Sequence, residues 1–124
     1  MLLTFDFSSD TPLYIQLRNQ IIIGIADGRL ISGEKLPTVR ALAEESGINT
    51  MTVSKAYQLL KAEGYLVTDR RAGAVVRAPR DKAAGLSADQ TARLKLLAGE
   101  ARLAGLTLDD FVAACKAAFG ETED

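Results

Sequence analysis

Residues 36–64 read LPTVRALAEESGINTMTVSKAYQLLKAEG, and this stretch decides the fold. Thr38 follows Pro37 and is suited to cap a helix, because its hydroxyl can accept from an N–H of the first turn. That helix is short, predicted to end at about Ser46, where Gly47 stops it. Asn49 is suited to cap the next helix, predicted from Thr50 to about Glu63, with Gly64 ending it. Only Gly47-Ile48-Asn49 separates the two. A three-residue turn containing glycine between short helices is the helix-turn-helix pattern, although any helical hairpin can show it.

The longer helix divides into two faces. Val53, Ala56, Tyr57 and Leu60 recur at the spacing of a buried stripe. Met51, Lys55 and Gln58 fall opposite, with Ser54 beside them, and Asn49, Thr50 and Thr52 crowd the first turn. This outer face is polar and short-chained with one lysine, which suits hydrogen bonding to base edges and phosphates. Met51 there can meet a thymine methyl or a protein partner, or is simply tolerated on the surface.

Working outward, two β-prone runs follow, Tyr65–Thr68 and Ala74–Arg77. The turn between them, Asp69-Arg70-Arg71-Ala72-Gly73, puts glycine where a positive φ is expected. Its two arginines are either a solvated loop or a basic hairpin that reaches a groove beside the reading helix. Upstream, the alternation of Leu3, Phe5 and Phe7 predicts a short strand. Thr11-Pro12 then opens a helix, with Thr11 as cap and Pro12 as its first residue, running to about Asp27. Leu13, Leu17, Ile21 and Ile25 repeat along it. Downstream, Pro79–Gly85 reads as a linker. Capping-box patterns at Ser87–Gln90 and Thr107–Asp110 start helices predicted over 88–104 and 108–119. The expected organisation is therefore α+β. A winged helix-turn-helix (three helices plus a β-hairpin wing) occupies 1–79 and a two-helix dimerisation segment occupies 80–124.

Composition narrows the chemistry. The 124-residue chain has no histidine and one cysteine, Cys115. That argues against a zinc site and removes histidine-based catalysis. No glycine-rich phosphate loop or nucleophile elbow is present, so the chain does not read as an enzyme, and no cofactor is implied. The longest apolar runs fall short of a bilayer span, and the N-terminus does not read as a secretory signal, so a cytoplasmic location is expected with no membrane partner. Net charge is −1, but residues 35–77 hold seven basic and four acidic side chains while both flanks are net negative. The positive charge thus gathers around the helix-turn-helix, as either a phosphate-facing surface or a solvated one.

Several motifs occur together and in order. They are Pro12-Leu13-Tyr14-Ile15-Gln16-Leu17, Gly28-Arg29-Leu30, Lys35-Leu36-Pro37-Thr38-Val39-Arg40-Ala41-Leu42-Ala43, Thr52-Val53-Ser54-Lys55-Ala56-Tyr57-Gln58-Leu59-Leu60 and Glu63-Gly64-Tyr65-Leu66. Over roughly residues 12–78 the chain resembles the GntR family of bacterial regulators. Its two-helix tail is similar to the YtrA-type subfamily, which lacks a large effector domain and uses that tail to dimerise. The resemblance implies that Arg40 reaches a guanine. It also implies that Asn49, Thr50, Met51 and Thr52 read bases and phosphates with Lys55, and that Gly73 lets the wing backbone approach the minor groove. The chain departs from the family pattern in having Ser32-Gly33 before the Lys-Leu-Pro motif, Thr50 where relatives often carry Arg or Asn, and Arg70-Arg71-Ala72-Gly73 as the wing.

The expected DNA-binding set is Thr38, Arg40, Asn49, Thr50, Met51, Thr52, Lys55, Arg70, Arg71 and Gly73. Double-stranded DNA is the expected partner. In the tail, Leu94, Leu97, Ala101 and Ala104 form one apolar stripe, and Leu108, Phe111, Val112, Cys115 and Phe119 form another. Two amphipathic helices cannot hide both stripes against each other, which predicts a homodimer with Cys115 as a small buried group. Its two reading helices would enter successive major grooves about 34 Å apart over an inverted repeat. A repressor is the expected role, and a winged-helix interaction module without DNA binding is the alternative. Some forty tail residues offer little room for a small-molecule effector, whose existence stays open.

Overall fold

The computed structural model describes residues 3–77 and 83–120. The chain divides into two compact units, residues 1–80 and 81–124. The predicted linker falls largely on 79–82, which lie outside the described residues.

The first unit is built on three helices: α1 (Leu13–Ala26), α2 (Val39–Ser46) and α3 (Thr50–Glu63). The local stop and start signals act as read. Thr38 accepts from the Ala41 N–H, and Gly47 ends α2 at φ 71°. Asn49 accepts from the Met51 N–H, and Gly64 ends α3 at φ 87°. These positive φ angles cost glycine almost nothing and any other residue more. Core packing then sets the angle between the helices. Leu17 and Ile21 of α1, Leu42 of α2, and Val53, Ala56 and Leu60 of α3 have no exposed surface. Burying each such leucine, isoleucine or valine side chain is worth about 1.5–3 kcal/mol. An ion pair reinforces the packing, with Arg18 Nε and Nη2 donating to the two carboxylate oxygens of Glu63 at 2.9 and 2.7 Å.

The wing is an antiparallel pair, β1 (Leu66–Asp69) and β2 (Gly73–Val76), in register from Leu66–Val76 to Asp69–Gly73. Each strand lies one residue away from its predicted bounds, because Gly73 pairs across the turn with Asp69 instead of standing outside the ladder. β2 also has a second neighbour. Gly33 and Leu36 donate to the carbonyls of Val76 and Ala74, and Val76 donates to Glu34, around a bridge between Lys35 and Val75. The segment leading into α2 is therefore stitched to the wing.

The N-terminal expectations need two corrections. No strand forms at Leu3–Phe7. Leu3 and Phe5 do pack on the core, but the backbone groups of Thr4 and Asp6, between and after them, pair with side chains of α1 instead of with a strand. Gln20 accepts from the Thr4 N–H at 2.9 Å and donates to the Thr4 carbonyl. Gln16 accepts from the Asp6 N–H at 2.9 Å and donates to the Asp6 carbonyl. A four-residue step along a helix rises about 6 Å and a two-residue step along an extended chain about 6.6 Å, so the two combs mesh. The second correction concerns the start of α1. Pro12 has ψ 146° and stands outside the helix, and no side chain caps it, Thr11 included.

The second unit holds α4 (Ala88–Leu103) and α5 (Leu108–Phe119), joined through Gly105 at φ 90°. Both begin with complete capping boxes, Ser87 with Gln90 and Thr107 with Asp110. The Thr107 amide donates to Asp110 and holds its carboxyl below the ordinary range. No described residue of this unit is buried.

Candidate nucleic-acid interface

The helix-turn-helix presents one side of α3 to solvent. Val53, Ala56 and Tyr57 anchor the opposite side in the core, which fixes the rotation of the helix about its axis. Thr50, Met51, Lys55 and Gln58 are exposed, and Thr52 and Ser54 are half-buried. Met51 stands out at 77% exposure. Asn49 is exposed, but its amide oxygen is committed to the Met51 N–H at 2.6 Å, leaving its NH2 group to donate. Thr38 is likewise exposed with its hydroxyl oxygen accepting from Ala41 at 3.1 Å, so its proton is what it can offer a phosphate.

A deeper contact holds α2 in place against α3. The buried Tyr57 donates its hydroxyl to the Pro37 carbonyl at 2.8 Å. Burial also pushes the Tyr57 phenol well above its ordinary ionisation range. Since Pro37 directly precedes the Thr38 cap, this bond ties the entrance of α2, and with it Arg40, to the body of the reading helix.

The wing tip is ordered by Asp69, whose Oδ1 accepts from the Arg71 and Ala72 N–H groups at 2.7 and 3.0 Å. Those bonds hold the Asp69 carboxyl below its usual range. Gly73 closes the turn at φ 80°. Arg70 and Arg71 in this turn are exposed.

Electrostatic pairing separates two groups of cations. Arg18 and Arg29 are each spoken for, by Glu63 and Asp27. Among the described residues no carboxylate pairs with Arg40, Lys55, Arg70 or Arg71. Exposed cations that no carboxylate neutralises suit contact with a polyanion.

Of the residues expected on this surface, Met51, Thr52 and Lys55 line one shallow concavity of about 420 Å³ with Tyr14, Ser54 and Gln58. Arg40, Arg70, Arg71 and Gly73 are outside it. Tyr14 is the residue that helical periodicity missed. It comes from the first turn of α1, and the Lys55 ammonium sits 4.1 Å from its ring centre. Its only signal in the sequence was its place in the Pro12–Leu17 motif.

Cys115, expected as a small buried group in a homodimer, is exposed in the single chain. Ala101, Leu108 and Phe111 share a notch of about 370 Å³ between α4 and α5. Leu94, Leu97, Val112 and Phe119 are exposed, Phe119 at 87%. No helix among the described residues is long and apolar enough to cross a membrane.

Residues 13–76 match the family model for bacterial regulatory proteins, gntR family. The chain is 37% identical over 110 residues to the HTH-type transcriptional regulator Rv1152 of Mycobacterium tuberculosis, covering 87% of this chain and 86% of that one. Other curated relatives match over 60–74 residues, and the chain spans 13–58% of their length. Among solved structures, YtrA from Sulfolobus acidocaldarius, a GntR-family transcription factor, superposes with a TM-score of 0.60 at 33% identity, over 93% of this chain and 94% of that one. AraR(DBD) in complex with operator ORX1 superposes with a TM-score of 0.54 at 25% identity, over 61% of this chain and 95% of that one.

Proposed function

The chain belongs to the GntR family of bacterial regulatory proteins, is of the YtrA type and is a DNA-binding transcription regulator, and on that premise we propose that it is a homodimeric repressor of an inverted-repeat operator. The exposed cations Arg40, Lys55, Arg70 and Arg71, in no ion pair among the described residues, support the DNA-binding part of this reading. Arg40 takes a guanine edge, where a bidentate pair discriminates most strongly. Asn49, Thr50, Met51 and Thr52 face bases and phosphates, Thr38 donates to the backbone, and the wing contacts DNA through Arg70, Arg71 and Gly73. Winged helix 1–79 and dimerising tail 80–124 divide the labour.

The dimer rests on the tail. A unit with no buried residue among those described, and with Leu94, Leu97, Val112 and Phe119 exposed, has its apolar surface still to bury. A second copy covers both stripes and takes Cys115 out of solvent. Repression then follows from occlusion, since a dimer lying across two half-sites blocks a promoter without any further contact. The exposed Met51 favours a second reading, a module that binds protein through α3.

Titration of DNA from upstream of the chain's own gene at several salt concentrations tests the first reading. Salt-dependent binding that weakens in Arg40→Ala by about 1–3 kcal/mol is expected. Equally weak binding by both proteins with no salt slope supports the second. Sedimentation of the chain with and without residues 80–124 tests the dimer. A dimer that persists without them argues against the tail assignment.

A further inference from the structure

Lys55 lies on the reading helix, yet its ammonium is directed onto α1, 4.1 Å from the centre of the Tyr14 ring. A lysine on an exposed face normally samples many rotamers, and ordering it on binding costs conformational entropy. The face of an aromatic ring attracts a cation and narrows that sampling, while leaving the ammonium's other donor directions open. Tyr14 is itself half-buried in the first turn of α1 and packed against the core, which limits the freedom of its ring. The two residues meet in the shallow concavity that Thr52 and Met51 also line. No carboxylate among the described residues competes for Lys55.

We propose that Tyr14 is a positioning residue for DNA binding, holding Lys55 through its ring face in the orientation from which the ammonium takes a backbone phosphate. The inference rests on the DNA-binding reading above and extends the interface to α1, outside the helix-turn-helix. It assigns the effect to the ring and not to the hydroxyl.

A double-mutant cycle tests it. Wild type, Tyr14→Leu, Tyr14→Phe, Lys55→Met and Tyr14→Leu/Lys55→Met are titrated over a range of salt with the upstream duplex and with a scrambled duplex of equal length. Lys55→Met is expected to lower the salt slope by about 0.9 on both duplexes, the signature of one lost phosphate contact. Tyr14→Leu is expected to weaken wild type about two- to fivefold, to leave the Lys55→Met protein unchanged, and Tyr14→Phe to bind like wild type. In the free protein, the Lys55 ε-methylene proton resonances should lie upfield in wild type and Tyr14→Phe and return to ordinary values in Tyr14→Leu. A packing defect alone does not produce that pattern. If Tyr14→Leu weakens the Lys55→Met protein as much as wild type, or weakens neither, the inference is overturned while DNA binding stands. If wild type shows no salt-dependent binding to either duplex, the DNA-binding reading falls and takes this inference with it.

Discussion

The Tyr57 hydroxyl lies 2.8 Å from the Pro37 carbonyl and joins the middle of the reading helix to the residue just ahead of the α2 cap. Tyr57→Phe keeps the ring in the core and removes the bond. A loss of about 0.5–1.5 kcal/mol is expected by chemical denaturation, with a further drop in DNA affinity because Arg40 rides on the same junction. The bond also gives an alkaline signature. The folded phenol ionises above its ordinary value of 10.0 because it is buried. Its contribution is therefore complete below that value and is lost as pH rises beyond it. Wild type should lose stability relative to Tyr57→Phe above pH 10.0 and run parallel to it below.

Asp69 gives the opposite sign. Its carboxyl is held below its ordinary 3.8, first by the Arg71 N–H and then by that of Ala72. Its contribution is present above the ordinary value and disappears as pH falls through the lowered one. Amide exchange at Arg71 and Ala72, taken relative to the intrinsic rate at each pH, should stay slow at neutral pH and quicken in acid. In Asp69→Ala it should be fast throughout, and in Asp69→Asn, which keeps the acceptor oxygen, slow throughout. Uniform exchange in all three proteins would show that the carboxylate does not order the wing.

Arg70 and Arg71 are exposed, and among the described residues their side chains are in no ion pair. Arg70→Ala/Arg71→Ala should melt like wild type while its salt slope for DNA falls by up to about 0.9 per arginine. An unchanged slope would place the wing tip away from the duplex.

Gln20→Glu probes the N-terminal segment. Glutamate still accepts from the Thr4 N–H but cannot donate to the Thr4 carbonyl. Protease sensitivity confined to the first residues is expected, with a global cost of about 0.5–1.5 kcal/mol. Insensitivity would mean that packing of Leu3 and Phe5 alone holds the segment.

Val112→Glu places a charge in the α5 stripe, which is exposed in the single chain. The protein should sediment as a monomer with the helix content and melting of the first unit retained. A dimer that survives the change would move the interface elsewhere.

What the sequence made legible follows the reach of each interaction. Thr38, Gly47, Asn49 and Gly64 act within one turn of their own position, so α2 and α3 began and ended where their residues say. The periodicity of α3 separated core from solvent because one face of a helix needs no knowledge of its neighbour. The alternation of Leu3 and Phe5 was also a true signal of a half-buried extended segment. It could not say that the partner would be Gln16 and Gln20 instead of a strand, since glutamine on a helix advertises nothing of the kind. The Thr11 cap failed because Pro12 adopts an extended ψ and takes the boundary position itself. The direction of Lys55 was hidden for a further reason, as Tyr14 lies 41 positions earlier in the chain and only tertiary packing brings the two together.

The meshing of Gln16 and Gln20 with the N-terminal segment bears on how the protein avoids sticking to itself. When a backbone pairs with a strand, that strand turns a fresh row of donors and acceptors outward, and the ladder can be extended by another molecule. A carboxamide pairs once and ends there, because behind it lies only the stem of its own side chain. On the side facing α1, the groups of Thr4 and Asp6 are satisfied by partners that cannot be propagated. On that side an apolar, extended segment is docked by partners that offer no further edge to pair with.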